Sequence, residues 1–154
     1  MKFKIQEAES HHLDAVLKLL PRLADFPIPN KRKPEEFWQV DAVLVKQHLD
    51  ETHSYTRSWI AVDEKDHVLG TLLLQFNQDP LNEQTNAHVE VLAVCEQAEG
   101  NGVASKLLEM AEAETRKQQA FSLSLNVFSN NERARSLYQK FGFDEEMIRC
   151  IKRF

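Results

Sequence analysis

The order of apolar and polar residues divides the 154-residue chain into a short series of elements. Phe3 and Ile5 alternate with lysines, which predicts a first strand. Ser10 then precedes Leu13, Val16, Leu17 and Leu20, the spacing of an amphipathic helix with Ser10 as its cap. Residues 26–34 hold Pro27, Pro29 and Pro34 around Lys31-Arg32-Lys33 and read as a loop. A second helix starts near Pro34, with Phe37, Val40, Leu44 and His48 on one stripe; Phe26, Phe37 and Trp38 dock it onto the sheet. Residues 58–62 and 68–76 read as two strands, joined through Asp63–His67 as an antiparallel hairpin. After a polar loop over 79–86 comes an apolar run at 89–94, a turn bearing Gly100 and Gly102, and a third helix. Residues 121–127 alternate like another strand. Ser129-Asn130-Asn131-Glu132 has capping-box spacing and opens a helix with Ala134, Leu137, Tyr138 and Phe141 on one face, ended by Gly142. Residues 143–154 supply one or two final strands. This order predicts an α/β fold, a mixed single-layer sheet with helices on both faces, in a single domain over 1–154.

Composition narrows the class. The net charge of −5 excludes a general nucleic-acid footprint. Two cysteines, Cys95 and Cys150, without CxxC spacing argue against a disulfide framework, so a reducing cytoplasm is expected. No signal peptide and no run of the ~20 apolar residues needed to span a membrane is visible. The six histidines show no HExxH or other ligand spacing, so no metal is expected.

The chemistry concentrates in the strand–glycine turn–helix unit. The first turn of a helix leaves backbone N–H groups unpaired and carries partial positive charge, which makes a cradle for phosphate. Three ligand classes use such turns. A nucleotide-hydrolysing loop needs GxxxxGK(S/T), which is absent. A dinucleotide fold needs a third glycine where Ser105 stands, and an acidic residue after a strand that here ends Leu125-Asn126-Val127. The third class fits. Gln97-x-x-Gly100-x-Gly102-x-Ala104 resembles the Arg/Gln-x-x-Gly-x-Gly/Ala signature of the GNAT superfamily of N-acetyltransferases. Leu92-Ala93-Val94 is similar to the end of that family's fourth strand. Asn131-x-x-Ala134-x-x-Leu137-Tyr138-x-Lys140-x-Gly142-Phe143 resembles its second motif. The two motifs cover the C-terminal half of the chain; the N-terminal half matches in element order alone.

The resemblance implies a mixed, mostly antiparallel central sheet of six to seven strands, with acetyl-CoA lying between splayed fourth and fifth strands. It implies that the backbone of Leu92, Ala93 and Val94 follows the pantetheine arm, with one N–H near the thioester oxygen. Gln97, Gly100, Asn101, Gly102, Val103, Ala104 and Ser105 would surround the pyrophosphate. Asn131 would hydrogen-bond the cofactor arm, cap its helix, or both. Tyr138 would be the general acid that protonates the departing thiolate, and Glu90 the general base, directly or through water. His88, two residues before Glu90 on a strand, shares its face and offers a relay. One departure stands out: Glu99 puts a carboxylate beside the pyrophosphate site, so backbone amides have to carry the anion. The acceptor would be an amine of a small molecule or peptide, contacted by the first two helices, their loop and the tail. The open sheet edge invites a homodimer. The alternatives are a catalytically silent CoA-binding sensor and a protein-interaction domain without ligand.

Overall fold

A computed structural model describes residues 1–50 and 55–154. Five strands form one sheet in sequential order: β1 (Lys4–Glu7), β2 (Thr56–Val62), β3 (Val68–Gln78), β4 (Thr85–Val94) and β5 (Ser122–Leu125). The first four are antiparallel neighbours, and β5 joins β4 in parallel. The helices are α1 (Leu13–Leu19), α2 (Gln39–Asp50), α3 (Val103–Lys117) and α4 (Glu132–Lys140). Single 3-10 turns at Ser10–His12, Leu20–Ala24, Pro34–Phe37 and Glu96–Ala98 flank them.

Strand alternation sorts side chains to two faces. Trp59, Ala61, Leu72, Leu74, Ala87 and Val89 pack with Val103, Leu107, Leu108 and Ala111 of α3. Ile60, Val62, Leu73 and Val91 pack with Val16, Leu20, Val45 and Leu49 from the α1 and α2 side. Burying each of the larger aliphatic side chains contributes ~1.5–3 kcal/mol, so both helical layers are needed to hold the sheet flat against water. The β2–β3 hairpin closes as its spacing predicts: Asp63 Oδ1 accepts from the amides of Lys65 (2.8 Å) and His67 (2.9 Å).

Three expectations need correction. The sheet has five strands rather than six to seven, because residues 144–154 form no strand. Their apolar positions, Met147, Ile148, Ile151 and Phe154, are spaced by one and three residues, not two, so no single face can be offered to a sheet. On α2 the buried residues are Val45, His48 and Leu49, whereas Val40 is 77 % exposed; the Pro34–Phe37 turn sets a different helical phase from the one its sequence spacing suggests. At the start of α1 the cap is not Ser10: the Glu9 amide donates to His12 Nδ1 (3.0 Å), and Ser10 opens the 3-10 turn.

The β3–β4 ladder contains one irregularity that matters for function. Leu73 pairs with Val91 and Leu74 with Val89, leaving Glu90 as an extra residue on β4. Such a bulge switches the side-chain alternation of the strand that carries it. Ala87 and Val89 face α3, Val91 faces α1 and α2, and Leu92 and Val94 face the α3 side again.

Candidate active site

Pairing between β4 and β5 runs only from Asn86–Ser122 to Val89–Leu125, while β4 continues to Val94. A gap therefore opens between the two strands toward their C-terminal ends. The glycine turn and the N-terminus of α3 lie at the end of β4, and α4 begins after β5, so both motifs flank the gap.

Gly100 (φ +70°) and Gly102 (φ +80°) hold left-handed conformations, and a side chain at either position would meet only open space. Glycine is required there for backbone conformation, and the space above stays clear for a ligand. No side chain caps α3, and its first intrahelical bond runs from Lys106 N to Gly102 O (3.0 Å). The amides of Val103, Ala104 and Ser105 precede that bond and are available to an anion. Asn101 is used within the turn, its Nδ2 donating to Glu99 O (2.9 Å). Gln97 sits exposed on the Glu96–Ala98 turn. The donor set fits a phosphate-bearing ligand.

Glu99 is not alone with that cradle. Its Oε2 accepts from Arg133 Nη1 (2.7 Å) and its Oε1 from Arg22 Nη2. The hydrogen bond from Arg133, together with both guanidinium charges, holds the carboxyl below its ordinary range despite partial burial. Arg22 is further fixed by Asp25 (2.7 Å) and by the Val94 carbonyl, which accepts from Arg22 Nε (3.3 Å). Two cations thus stand at a turn whose own sequence offers none. They lie 77 and 34 residues from Glu99 along the chain, beyond the reach of local sequence spacing.

Tyr138 packs against the α3-side core, as do Leu92, Val94, Leu125 and Leu137, and its ring lies 5.9 Å from that of Phe143. Burial pushes the phenol above its ordinary pKa, so it is fully protonated at neutral pH and can donate a proton. Asn131 caps α4, its Oδ1 accepting from the Ala134 amide (3.2 Å). The capping residue is thus Asn131 rather than Ser129. Gly142 (φ +94°) ends the helix, with the Phe143 amide donating back to Tyr138 O (3.0 Å).

Glu90 lies on the opposite face from Tyr138, on the side of α2, and the bulge turns Leu92 and Val94 away from it. Asp41 of α2 is near enough for the two carboxylates to oppose each other; burial first, then Glu90, raises Asp41 to about 6. Sequence spacing gives no sign of Asp41, a charged residue within the predicted apolar stripe, four residues after Phe37 and three before Leu44. His88 faces the same side as Glu90 but is engaged sideways, Nδ1 lying 2.8 Å from Ser124 Oγ. That contact belongs to a polar ladder across three strands. Asn86 Nδ2 donates to Ser124 Oγ (3.0 Å) and Asn77 Oδ1 (3.1 Å), and Ser122 Oγ donates to Asn86 Oδ1 (2.7 Å). The ladder explains the Ser-Leu-Ser-Leu sequence of β5: leucines face the core and serines the polar side.

Phe26, Phe37 and Phe128 form an aromatic cluster with ring centroids 4.8–5.6 Å apart, joining the Pro-rich loop to the segment after β5. Trp38 packs instead into the core on the α1 and α2 side. Among the described residues no group of three or more His, Cys, Asp or Glu could hold a metal ion, and no helix is long and apolar enough to cross a membrane.

Residues 18–143 match the Acetyltransferase (GNAT) family. The chain belongs to that family. As a GNAT protein it is 31% identical over 115 residues to the uncharacterized N-acetyltransferase YycN of Bacillus subtilis, a match covering 75% of this chain and 71% of that protein. It is 33% identical over 94 residues to YdgE of the same organism, covering 61% of this chain but only 59% of that relative. A putative acetyl transfer enzyme from Pyrococcus furiosus has the same fold, with TM-score 0.80 at 20% identity over 99% of this chain and 100% of the other. The aminoglycoside antibiotic 6'-N-acetyltransferase of Acinetobacter baumannii superposes with TM-score 0.75 at 16% identity, covering 99% of each chain. GNAT proteins normally use acetyl-CoA, and the uncapped α3 N-terminus with its open glycine turn suits that ligand's phosphates.

Proposed function

We propose that this GNAT domain transfers the acetyl group of acetyl-CoA to a primary amine by direct attack in a ternary complex. The observation that carries the reading is the sorting of groups about the β4–β5 gap. A protonated phenol, Tyr138, lies on one face, and a carboxylate, Glu90, lies on the other. Acetyl-CoA supplies the thioester. Amide donors at Val103–Ser105 hold its phosphates, and the backbone of Leu92–Val94 lies along the gap for its arm. Glu90, directly or through water, takes a proton from the acceptor ammonium, which at neutral pH is the dominant form of a lysine-like amine. As the new N–C bond forms and the C–S bond breaks, Tyr138 delivers its proton to the sulfur, and the second proton that the nitrogen loses in becoming an amide passes through solvent to restore the phenol. A main-chain N–H on β4 stabilises the thioester oxygen.

The Asp41–Glu90 pair favours an acceptor that arrives as a cation, since two opposed carboxylates are relieved by an ammonium between them. Solved structures of the same fold are named for a small-molecule acceptor, the aminoglycoside enzyme, and for a protein one, a ribosomal-protein-alanine N-acetyltransferase from Brucella melitensis; both classes are compatible with this site. We read residues 1–154 as one domain that acts without nucleic acid or membrane. The β5 edge of its sheet, with no further strand beside it among the described residues, is where a second copy would pair.

Free-thiol release from acetyl-CoA against a panel of polyamines, amino sugars and N-terminal peptides tests the proposal. Amine-dependent thiol release, lost in Tyr138→Phe, is expected. Tight acetyl-CoA binding with no release across the panel would instead identify a CoA-binding sensor.

A further inference from the structure

The ion pair between Glu99 and Arg133 links the turn after β4 to the first turn of α4, across the gap where β4 and β5 have parted. A cation in the first turn of a helix opposes the helix dipole, so Arg133 is placed against the local electrostatics of α4. What holds it there is Glu99. The two arginines are not equivalent. Arg22 is gripped by Asp25, Glu99 and the Val94 carbonyl, with its side chain 24% exposed; Arg133 is 70% exposed and bound to Glu99. Asp25 and Glu99 together balance Arg22 and Arg133, so the four side chains carry no net charge.

Resting on the acyl-CoA reading, we propose that Glu99 is an internal stand-in for a cofactor phosphate. It parks Arg133 across the mouth of the gap, and an incoming acyl-CoA takes Arg133 from it. Arg22 stays anchored and keeps Glu99 neutralised after the exchange, so the carboxylate does not repel the bound pyrophosphate. The exchange trades one charge-assisted hydrogen bond for another, with the pyrophosphate, which carries two negative charges in all, the stronger acceptor. Binding is thereby made selective for donors that carry phosphate, and the strap between Glu99 and Arg133 gives way to a contact between Arg133 and the donor.

Calorimetric titration of acetyl-CoA and of S-acetylpantetheine, which lacks the phosphates, into four proteins tests this: wild type, Glu99→Gln, Arg133→Gln and the double variant. Glu99→Gln is expected to tighten acetyl-CoA by about three- to tenfold and Arg133→Gln to weaken it similarly, the range of a partly exposed charge pair. S-Acetylpantetheine affinity is expected to stay within about twofold throughout. In the double variant the gain from Glu99→Gln is expected to vanish, because Arg133 is no longer there to release. Full persistence of the gain in that background would show simple charge repulsion and overturn the exchange, as would unchanged or weaker binding by Glu99→Gln. Arg133→Lys, which keeps the charge on an exposed residue, is expected to recover part of the lost affinity; no recovery would count against a role in meeting phosphate. Binding of neither compound by the wild type would overturn the acyl-CoA reading itself, whereas binding of both without the variant pattern overturns this inference alone.

Discussion

Gly70 on β3 couples the sheet to the phosphate turn through a steric contact. A Cβ at this position would meet Val103 Cγ1 at 2.8 Å, the Ala93 carbonyl oxygen at 3.1 Å and Leu107 Cδ1 at 3.3 Å. Carbon atoms pack best at ~3.5–4.0 Å, so Gly70→Ala requires Val103 to retreat by roughly 1 Å. Val103 is the first residue of α3, and its amide is one of the donors of the cradle. Leu107 can rotate away, but the Ala93 carbonyl belongs to the neighbouring strand and cannot move without distorting the ladder. Overpacking of this kind costs about 1–3 kcal/mol. Replacing glycine where φ is not positive returns ~0.4–1 kcal/mol through the unfolded chain, leaving a net loss of about 1–2 kcal/mol. Urea denaturation should therefore show a lower midpoint with unchanged slope, and acetyl-CoA affinity should fall with it. A second substitution sharpens the test. Val103→Ala deletes the methyl that collides most closely, so adding Gly70→Ala to that background should cost clearly less than it does alone, the Ala93 carbonyl contact remaining. An unchanged midpoint for Gly70→Ala alone, or full additivity with Val103→Ala, would refute the argument that this contact sets the height of α3 above the sheet.

Other consequences follow from the same geometry. Tyr138→Phe should lower turnover by roughly 10²–10⁴ with little change in acetyl-CoA affinity, read by thiol release alongside calorimetry; equal losses in both would make Tyr138 a packing residue. Glu90→Gln should depress kcat/KM at neutral pH and give back activity as pH rises toward the amine's own pKa. Asp41 has a folded pKa raised from 3.8 to about 6, so the native state holds the proton more tightly and stability falls as pH rises between those values. Asp41→Asn should then be more stable than wild type at pH 7 by about 1 kcal/mol, the full linkage being reduced by solvent screening, and show no gain below pH 4; thermal melts across pH 3–8 check both limbs. Asn131→Ala should cost about 1 kcal/mol through the lost cap on α4, measured by denaturation without ligand.

The legible part of this protein is the part whose chemistry is local. Gly100 and Gly102 announce themselves because only a few turns need left-handed backbone, and the Asn131–Phe143 pattern combines a cap, an apolar face and a terminating glycine within one short helix. Those features need no partner from elsewhere in the chain. Arg22 and Asp41 were hidden for the opposite reason. Each sits on an N-terminal element of ordinary composition and joins the candidate site only because the fold sets it against a residue of β4 or its turn. The phase of α2 differs from its sequence spacing because the Pro34–Phe37 turn resets it, and Val40, apolar and correctly spaced for a stripe, points outward. The tail is apolar enough for a strand but lacks the alternation that would let one face join the sheet.

The bulge at Glu90 is the feature that turns a sheet into a two-sided site. With unbroken alternation His88, Glu90, Leu92 and Val94 would all share one face, since each is two residues from the next. The strand would then present its acid, its polar ladder and its gap-lining apolar residues to the same side. The extra residue between Leu74–Val89 and Leu73–Val91 breaks that pattern. His88 and Glu90 remain on the side of α2, where Asp41 lies, while Leu92 and Val94 move to the side of Tyr138. A bulge also increases local twist, and it falls immediately after the last β4–β5 pair, Val89–Leu125. The same inserted residue that puts Leu92 and Val94 on the face of Tyr138, while Glu90 stays on that of α2, therefore helps to part the two strands, and the passage between the faces opens beside the residue proposed as base.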